Sequence, residues 1–327
     1  MTKIKGLLLT MSIAIISTYL GKYFPIVGSA VFAIVIGMLI NNLWRVPQSF
    51  TPGIRYSSKK ILHYSIITLG FTLSFQSIGS IGLKSLPILI LTLFICFGIV
   101  ILLIKLLKID TDTGILIGVG TSICGGSAIA ATSPVIRARE DVIALSLSTV
   151  FLFNLVGVII FPPIGHLFNM NQETFGFFAG TAINDTSSVV AASAVYGHEA
   201  LEVATIVKLT RTLFIIPITI GLAIWMAKHN TSHTHTTRSW YKAIPSFIIW
   251  FLIAALISSI FHFSTPMITL FKQLALFLIT IALAGVGLTV KFSQFKRAGL
   301  KPVLLGLLTW TALIIASLIL LKIIGML

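Results

Sequence analysis

Charge is scarce in this sequence. Asp, Glu, Lys and Arg make up 9% of its 327 residues, where soluble domains carry about 25%, so a soluble globular domain is excluded. Negative charge is scarcest: 8 Asp+Glu stand against 23 Lys+Arg, a formal net charge of +15. In a soluble chain that excess would point to nucleic acid. Here the basic residues are spaced between long apolar runs, the pattern of loops held at a membrane surface, and no nucleic-acid partner is expected. Cysteine is nearly absent, and Cys96 and Cys124 both sit inside apolar segments, so there is no disulfide framework. No Walker A sequence, His-Glu-x-x-His or Gly-x-Ser-x-Gly occurs; the machinery of an ATP-driven pump or an intramembrane hydrolase is missing. Neither an enzyme nor a cofactor is expected.

What fills the chain is apolar: 57% hydrophobic residues and a mean hydropathy of +1.06. The expectation is an all-α polytopic membrane protein, one integral domain over residues 1–327, with the lipid bilayer as its surroundings. A hydrocarbon core of about 30 Å takes roughly 20 apolar residues per helix. Candidate spans fall at 7–22, 25–43, 61–79, 86–107, 113–136, 142–163, 174–197, 202–226, 244–263, 269–290 and 302–324, eleven in all. The first run follows Lys3 and Lys5 as a signal peptide would, but it lacks a small-x-small cleavage site, so it is read as a retained first helix. With the N-terminus inside, this alternation puts 15 Lys and Arg in inner loops and 6 outside, with Lys208 and Arg211 within a span. The excess favours a cytoplasmic N-terminus and an external C-terminus. Arg137 and Arg139 fit this least well. Two stretches read as cytoplasmic loops, 44–60 and 227–243; the second carries His229, His233 and His235, a weak metal signal without Cys or acidic partners.

Two internal repeats organise the chain. Residues 70–92 align without gaps to 287–309, with 8 of 23 positions identical, including Gly70/Gly287, Phe75/Phe292 and Lys84/Lys301. The copies lie seven spans apart, and an odd separation inverts one relative to the other, as in many secondary transporters. The second repeat matches GTSICGGSAIAATSPVI (120–136) to GTAINDTSSVVAASAVY (180–196), with 7 of 17 identical. Each copy begins Gly-Thr, presents small and hydroxyl residues, and resumes as an alanine-rich helix. Glycine and hydroxyl residues weaken a helix locally, and unwinding at membrane depth is tolerated only where it is buried in protein or lines a cavity. Spans 113–136 and 174–197 are therefore expected to be two broken helices at the midplane, whose half-helix N-termini accept anions. Close helix packing is the alternative use of these small residues.

Asp185 is the acidic residue inside an apolar span, a functional candidate by default. It could exchange a proton, hold Na⁺ beside the oxygen-bearing Asn184, Thr186, Ser187 and Ser188, or neutralise a base. Lys208 and Arg211, at i and i+3, share a helical face. Arg211 suits an oxyanion or a carboxylate, with pairing to Asp185 as the structural alternative, and Lys208 could snorkel to an interface. Pro217 is expected to kink this helix. His63, His166, His198 and His262 fall near span ends, where histidine is commonly interfacial.

At these motifs the sequence resembles the sulfate exporter family of bacterial inner-membrane proteins. The likeness rests on GTSICGGSAIAA (120–131), GTAINDTSSVVAA (180–192) and VATIVKLTR (203–211), with LGFTLSF (69–75) and GVGLTVKF (285–292) in the expected places. The family often has His-Asp where this chain has Asn184-Asp185, and Gln where it has Ser188. The resemblance implies a place among the cation/proton antiporters and anion transporters, a bacterial cell membrane, inverted repeats, and the homodimers common there. The leading expectation is a secondary transporter moving a small inorganic or organic anion, such as sulfate, by alternating access with H⁺ or Na⁺ as coupling ion. Thr121, Ser122, Gly125, Gly126, Ser127, Thr181, Asn184 and Arg211 would bind the anion, with Lys208 as a secondary candidate. Asp185, Thr186, Ser187 and Ser188 would carry the coupling ion. A Na⁺/proton antiporter and an anion channel are the alternatives.

Overall fold

A computed structural model describes residues 3–24, 28–44, 46–229, 246–290 and 299–327, and the regular elements among them are all helices. In chain order they are α1 (Ile4–Tyr23), α2 (Gly28–Trp44), α3 (Thr51–Tyr56), α4 (Leu62–Gly70), α5 (Phe75–Leu107), α6 (Thr111–Ser122), α7 (Gly126–Thr132), α8 (Glu140–Leu167), α9 (Gln172–Ala182), α10 (Thr186–Tyr196), α11 (His198–Thr212), α12 (Ile215–His229), α13 (Ser246–Phe261), α14 (Thr265–Gly287) and α15 (Leu300–Ile323). Six stretches are long and apolar enough to cross a membrane: α1, α5, α8, α11 with most of α12, α14 and α15. The all-helical membrane architecture expected from composition is present.

The helices pack as two groups. In the first, α14 lies against α1, α2 and α4, and α13 against α4. Backbones approach closely there because Gly37 faces Ala284 and Gly287 faces Ile34, the small-residue packing that replaces the hydrophobic effect between helices in lipid. The second group contains α5 to α12 and α15. Helix α10 joins the groups by packing on α2 and α14.

Helix boundaries differ from the hydropathy reading in several places. The turn expected between 79 and 86 lies at 71–74, and α5 runs unbroken for 33 residues with Pro87 inside it. Ser74 explains the early start: its Oγ accepts from Ser77 N at 3.0 Å, capping α5. The kink expected from Pro217 is a two-residue turn at Leu213–Phe214, between α11 and α12; proline cannot donate to Leu213 O, which accepts instead from Ile216 N at 3.2 Å.

The larger correction concerns 113–136 and 174–197. Both break where expected, at 123–125 and 183–185, but neither continues onward. Each turns back as a hairpin. In the second, Gln172 Oε1 at the start of α9 accepts from Glu199 N and Ala200 N, just beyond the end of α10. Tyr196 OH donates to Met170 O at 2.5 Å, and the Phe175 and Tyr196 rings stack at 3.8 Å. In the first, Ile129 and Ile136 return beside Leu116 in one cluster with Val142. Arms of 12 and 11 residues (α6 and α9) are about 18 and 16 Å long, roughly half a hydrocarbon core.

The hairpins enter from opposite ends of the molecule. One end holds the start of α1, which touches Gly53 and Tyr56, the ends of α5 and α14, and the outer ends of α6 and α7. The other holds the 71–74 turn, the outer ends of α9 and α10, the α13–α14 turn and the C-terminus, where Met326 O accepts from Thr174 Oγ1. Between the hairpins α8 crosses fully. The segments matched at an offset of 60 are thus two hairpins pointing in opposite directions. The copies at 70–92 and 287–309 begin at opposite ends as well, although 291–298 lie outside the described residues.

Candidate functional site

The hairpin tips meet inside the second group. A methyl group added to Gly125 would lie 3.5 Å from Asp185 Cβ, 3.6 Å from Asn184 O and 3.5 Å from Asn154 Nδ2 on α8. Gly125 itself has φ +63° and ψ −126°, a backbone state that an L side chain resists. The first tip therefore reverses on a glycine, while the second reverses through extended Ile183 and Asp185.

Helices α6 and α9 both end at this meeting point, which brings two sets of unpaired C-terminal carbonyls together. Helix α11 supplies their donors. Arg211 Nε and Nη2 donate to Ser122 O and Thr121 O, both at 2.9 Å, and Nη1 donates to Thr181 O. Lys208 Nζ donates to Ile123 O and Ile183 O, both at 2.9 Å. Trp310 Nε1, on α15, completes the set by donating to Ala182 O at 3.0 Å. One cation thus bridges both tips, and so does the other. Each also meets the partial negative charge of a helix C-terminus. Their reach depends on how closely α9 lies on α11: a Cβ on Gly180 would stand 2.8 Å from Ala204 O.

Both side chains are 0% exposed. Arg211 is committed to backbone carbonyls, and among the described residues neither base forms an ion pair with Asp185. Instead Asp185 caps α10. Its Oδ2 accepts from Ser187 N at 2.9 Å and from Ser187 Oγ, satisfying a first-turn amide and facing a positive helix end.

Several polar groups at the tips remain uncommitted. Asn184 is fully buried with both amide atoms unpartnered, and the Oδ1 of Asn154, 2% exposed, has no partner. The hydroxyls of Thr121, Ser122 and Thr181 are likewise buried without partners. An unpaired buried polar atom costs about 1–3 kcal/mol, so such a concentration marks a place for water or a ligand. Ser188 is buried beside Ser187, and Thr186 is half-buried. Two of the anticipated residues stand apart: Gly126 faces Leu147 of α8, and Ser127 is exposed.

Sequence reasoning passed over Asn154 and Trp310. Asn154 had a signal, as a lone amide within the apolar run VFLFNLVGVII (150–160). Both cysteines are buried and free. The side chains of the histidine-rich stretch lie outside the described residues.

Comparison with known proteins places the chain. A family described as Conserved hypothetical protein 698 matches residues 5–306. The UPF0324 membrane protein of Fusobacterium nucleatum is 41% identical over 343 residues, covering 99% of each chain. That of Streptococcus pyogenes serotype M18 is 42% identical over 324 residues, covering 97% of this chain and 96% of its own, and that of Streptococcus pneumoniae is 40% identical. No solved structure matches. Matched along nearly its whole length, the chain belongs to the UPF0324 membrane protein family.

Proposed function

We propose that this protein is a secondary transporter that carries a small anion, such as sulfate or a related sulfur oxyanion, across the bacterial cell membrane by alternating access. The observation that carries the reading is the group of buried, uncommitted amides and hydroxyls at the meeting of two oppositely directed hairpins. Charge balance favours an anion there. The half-helices that end at the site and those that begin there set opposite partial charges against each other, while Lys208 and Arg211 outnumber Asp185. In this reading Asn184, Asn154, Thr121, Ser122 and Thr181 hydrogen-bond the anion. Arg211 and Lys208 fix the tips and supply field rather than direct contact.

Orientation follows from the basic residues. Among the described residues, Lys3, Lys5, Arg55, Lys59, Lys60, Lys105, Lys108, Arg137, Arg139 and Lys301 lie at the end that holds the N-terminus. Lys22, Lys84, Lys272 and Lys322 lie at the other. The first end would face the cytoplasm. The hairpin also brings Arg137 and Arg139 to the basic side.

A Na⁺/proton antiporter is the second reading, favoured by one feature: Asp185 is a carboxylate at the tips with hydroxyl-bearing residues beside it. Thermal-shift and calorimetric titration of the purified protein with sulfate, sulfite and sulfonates, at varied Na⁺ and pH, decides between them. A ligand at 100 times its Kd stabilises the folded state by about 2.7 kcal/mol. Stabilisation by one oxyanion, lost in Asn184→Ala, is expected. A response to Na⁺ or pH alone, lost in Asp185→Asn, would move the assignment to the antiporter.

A further inference from the structure

The helix that clamps the hairpin tips carries a second polar cluster at its other end. Glu202, on α11, has a side chain 18% exposed, and three groups converge on its Oε1. Thr72 Oγ1, from the α4–α5 turn, stands at 3.0 Å, its one proton shared with Leu69 O at 2.8 Å. His198 Nδ1, one turn back on α11, stands at 3.3 Å, and Lys272 Nζ, on α14, at 3.9 Å. Both imidazole nitrogens of His198 are buried without a hydrogen-bond partner. Lys272 belongs to the first helical group, Thr72 to the turn that links the two groups, and Glu202 to the second. The carboxylate therefore ties the two groups together, on the helix whose Lys208 lies six residues on, about 9 Å along the axis.

We propose that the Glu202–His198 pair is a proton-binding site that couples protonation to movement between the two helical groups. The transporter reading supplies its purpose, but the geometry stands independently. With the pair deprotonated, the carboxylate holds Lys272 and Thr72 and locks α11 to α14 and to the α4–α5 turn. One proton taken up from solvent resides on the pair as a whole and cancels its charge. Attraction for Lys272 is then lost and this polar tie loosens, leaving α11 held to the first group by the apolar packing of Leu201, Ile206 and Leu209, across which it can shift. No other bond forms or breaks.

The surrounding charges are few. On α11 itself there is Glu199; on α14, Lys272; on α9, Glu173, already engaged by Lys84 at 3.6 Å. His262, at the α13–α14 turn, shares with Thr72 a cavity of about 430 Å³ that also exposes Ser74, Gln76 and Ser259. The cavity reaches Thr72, and the side chains of His198 and Glu202 are themselves 27% and 18% exposed to solvent.

Hydrogen exchange of the 71–74 turn and the first half of α14, corrected for the intrinsic pH dependence of the chemistry, tests the proposal without a substrate. In the wild type, protection should fall between neutral and mildly acidic pH. In Glu202→Gln it should be low and unresponsive, and in His198→Gln the transition should move along the pH axis. Lys272→Met, which leaves the carboxylate in place, should lower protection at neutral pH. Wild-type pH dependence retained in Glu202→Gln, or none in the wild type, would overturn the proposal. A purely structural Glu202 would lower the melting temperature of the variant without altering how protection depends on pH. In proteoliposomes given labelled sulfate, the same substitution should remove the response of uptake to an imposed pH gradient. Absence of sulfate uptake by the wild type would count against the anion reading and leave the exchange result standing.

Discussion

The two hairpins occupy matched places and differ in what their tips carry. The tip of α9–α10 reverses through Ile183, Asn184 and Asp185, with a capping carboxylate and an 11-residue second arm. The tip of α6–α7 reverses through Ile123, Cys124 and Gly125, with a second arm of seven residues and no side-chain cap. Both hairpins bring hydrogen-bonding side chains, Thr121 and Ser122 on one and Thr181 and Asn184 on the other; the second adds the carboxylate of Asp185, and the first turns on the positive φ of Gly125. Their shared dependence is on α11, which satisfies the carbonyls of both.

That shared dependence predicts the largest effect. Arg211→Ala strips donors from Thr121, Ser122 and Thr181 at once and should destabilise the protein by about 3 kcal/mol or more, at roughly 1–3 kcal/mol per buried orphan. Loss of the folded, monodisperse species in detergent is the readout. Arg211→Lys should recover only part, because an ammonium lacks the planar fork that spans three carbonyls. A variant as stable as wild type would sever the link between the tips.

The glycine tip comes next. Gly125→Ala forces an unfavourable backbone state costing about 1–3 kcal/mol, while its methyl would meet Asn154 and Asp185 only at ordinary van der Waals distance, 3.5 Å. Gly126→Ala, one residue on, adds a methyl 3.4 Å from the end of Leu147 and should shift the melting temperature little. Equal effects at both positions would show that the positive-φ backbone is not what requires glycine at 125.

The smallest effect on stability belongs to the charged tip. Asparagine caps a helix about as well as aspartate, so Asp185→Asn should change stability by only a few tenths of a kcal/mol. It should nonetheless alter the Na⁺ or pH dependence of ligand binding, measured by calorimetry. A large loss of stability would make Asp185 a structural charge.

Much of this was legible in the residues. Gly-Thr motifs followed by hydroxyl residues and alanine marked both breaks, and Pro217 marked the interruption of α11–α12. Direction was not legible. A 24-residue apolar run with a break at its middle has the same hydropathy whether it crosses or returns, and the misplaced Arg137 and Arg139 were the sign that it returns. The partners of Arg211 were hidden for a different reason. Its acceptors are backbone carbonyls, which every residue carries, so no side-chain pattern announces them. Glu202 was passed over at the edge of a span; its importance comes from Thr72 and Lys272, distant in sequence and adjacent in space.

The direction of both hairpins can be read from the side on which their outer ends are exposed. In a background of Cys96→Ser and Cys124→Ala, single substitutions Lys3→Cys, Arg137→Cys, Glu173→Cys and Glu199→Cys can be labelled with a membrane-impermeant maleimide in intact cells and in inverted vesicles. Labelling of positions 3 and 137 from one side, and of 173 and 199 together from the other, is predicted. Positions 173 and 199 on opposite sides, with 137 opposite 3, would mean that both segments cross and would contradict the account.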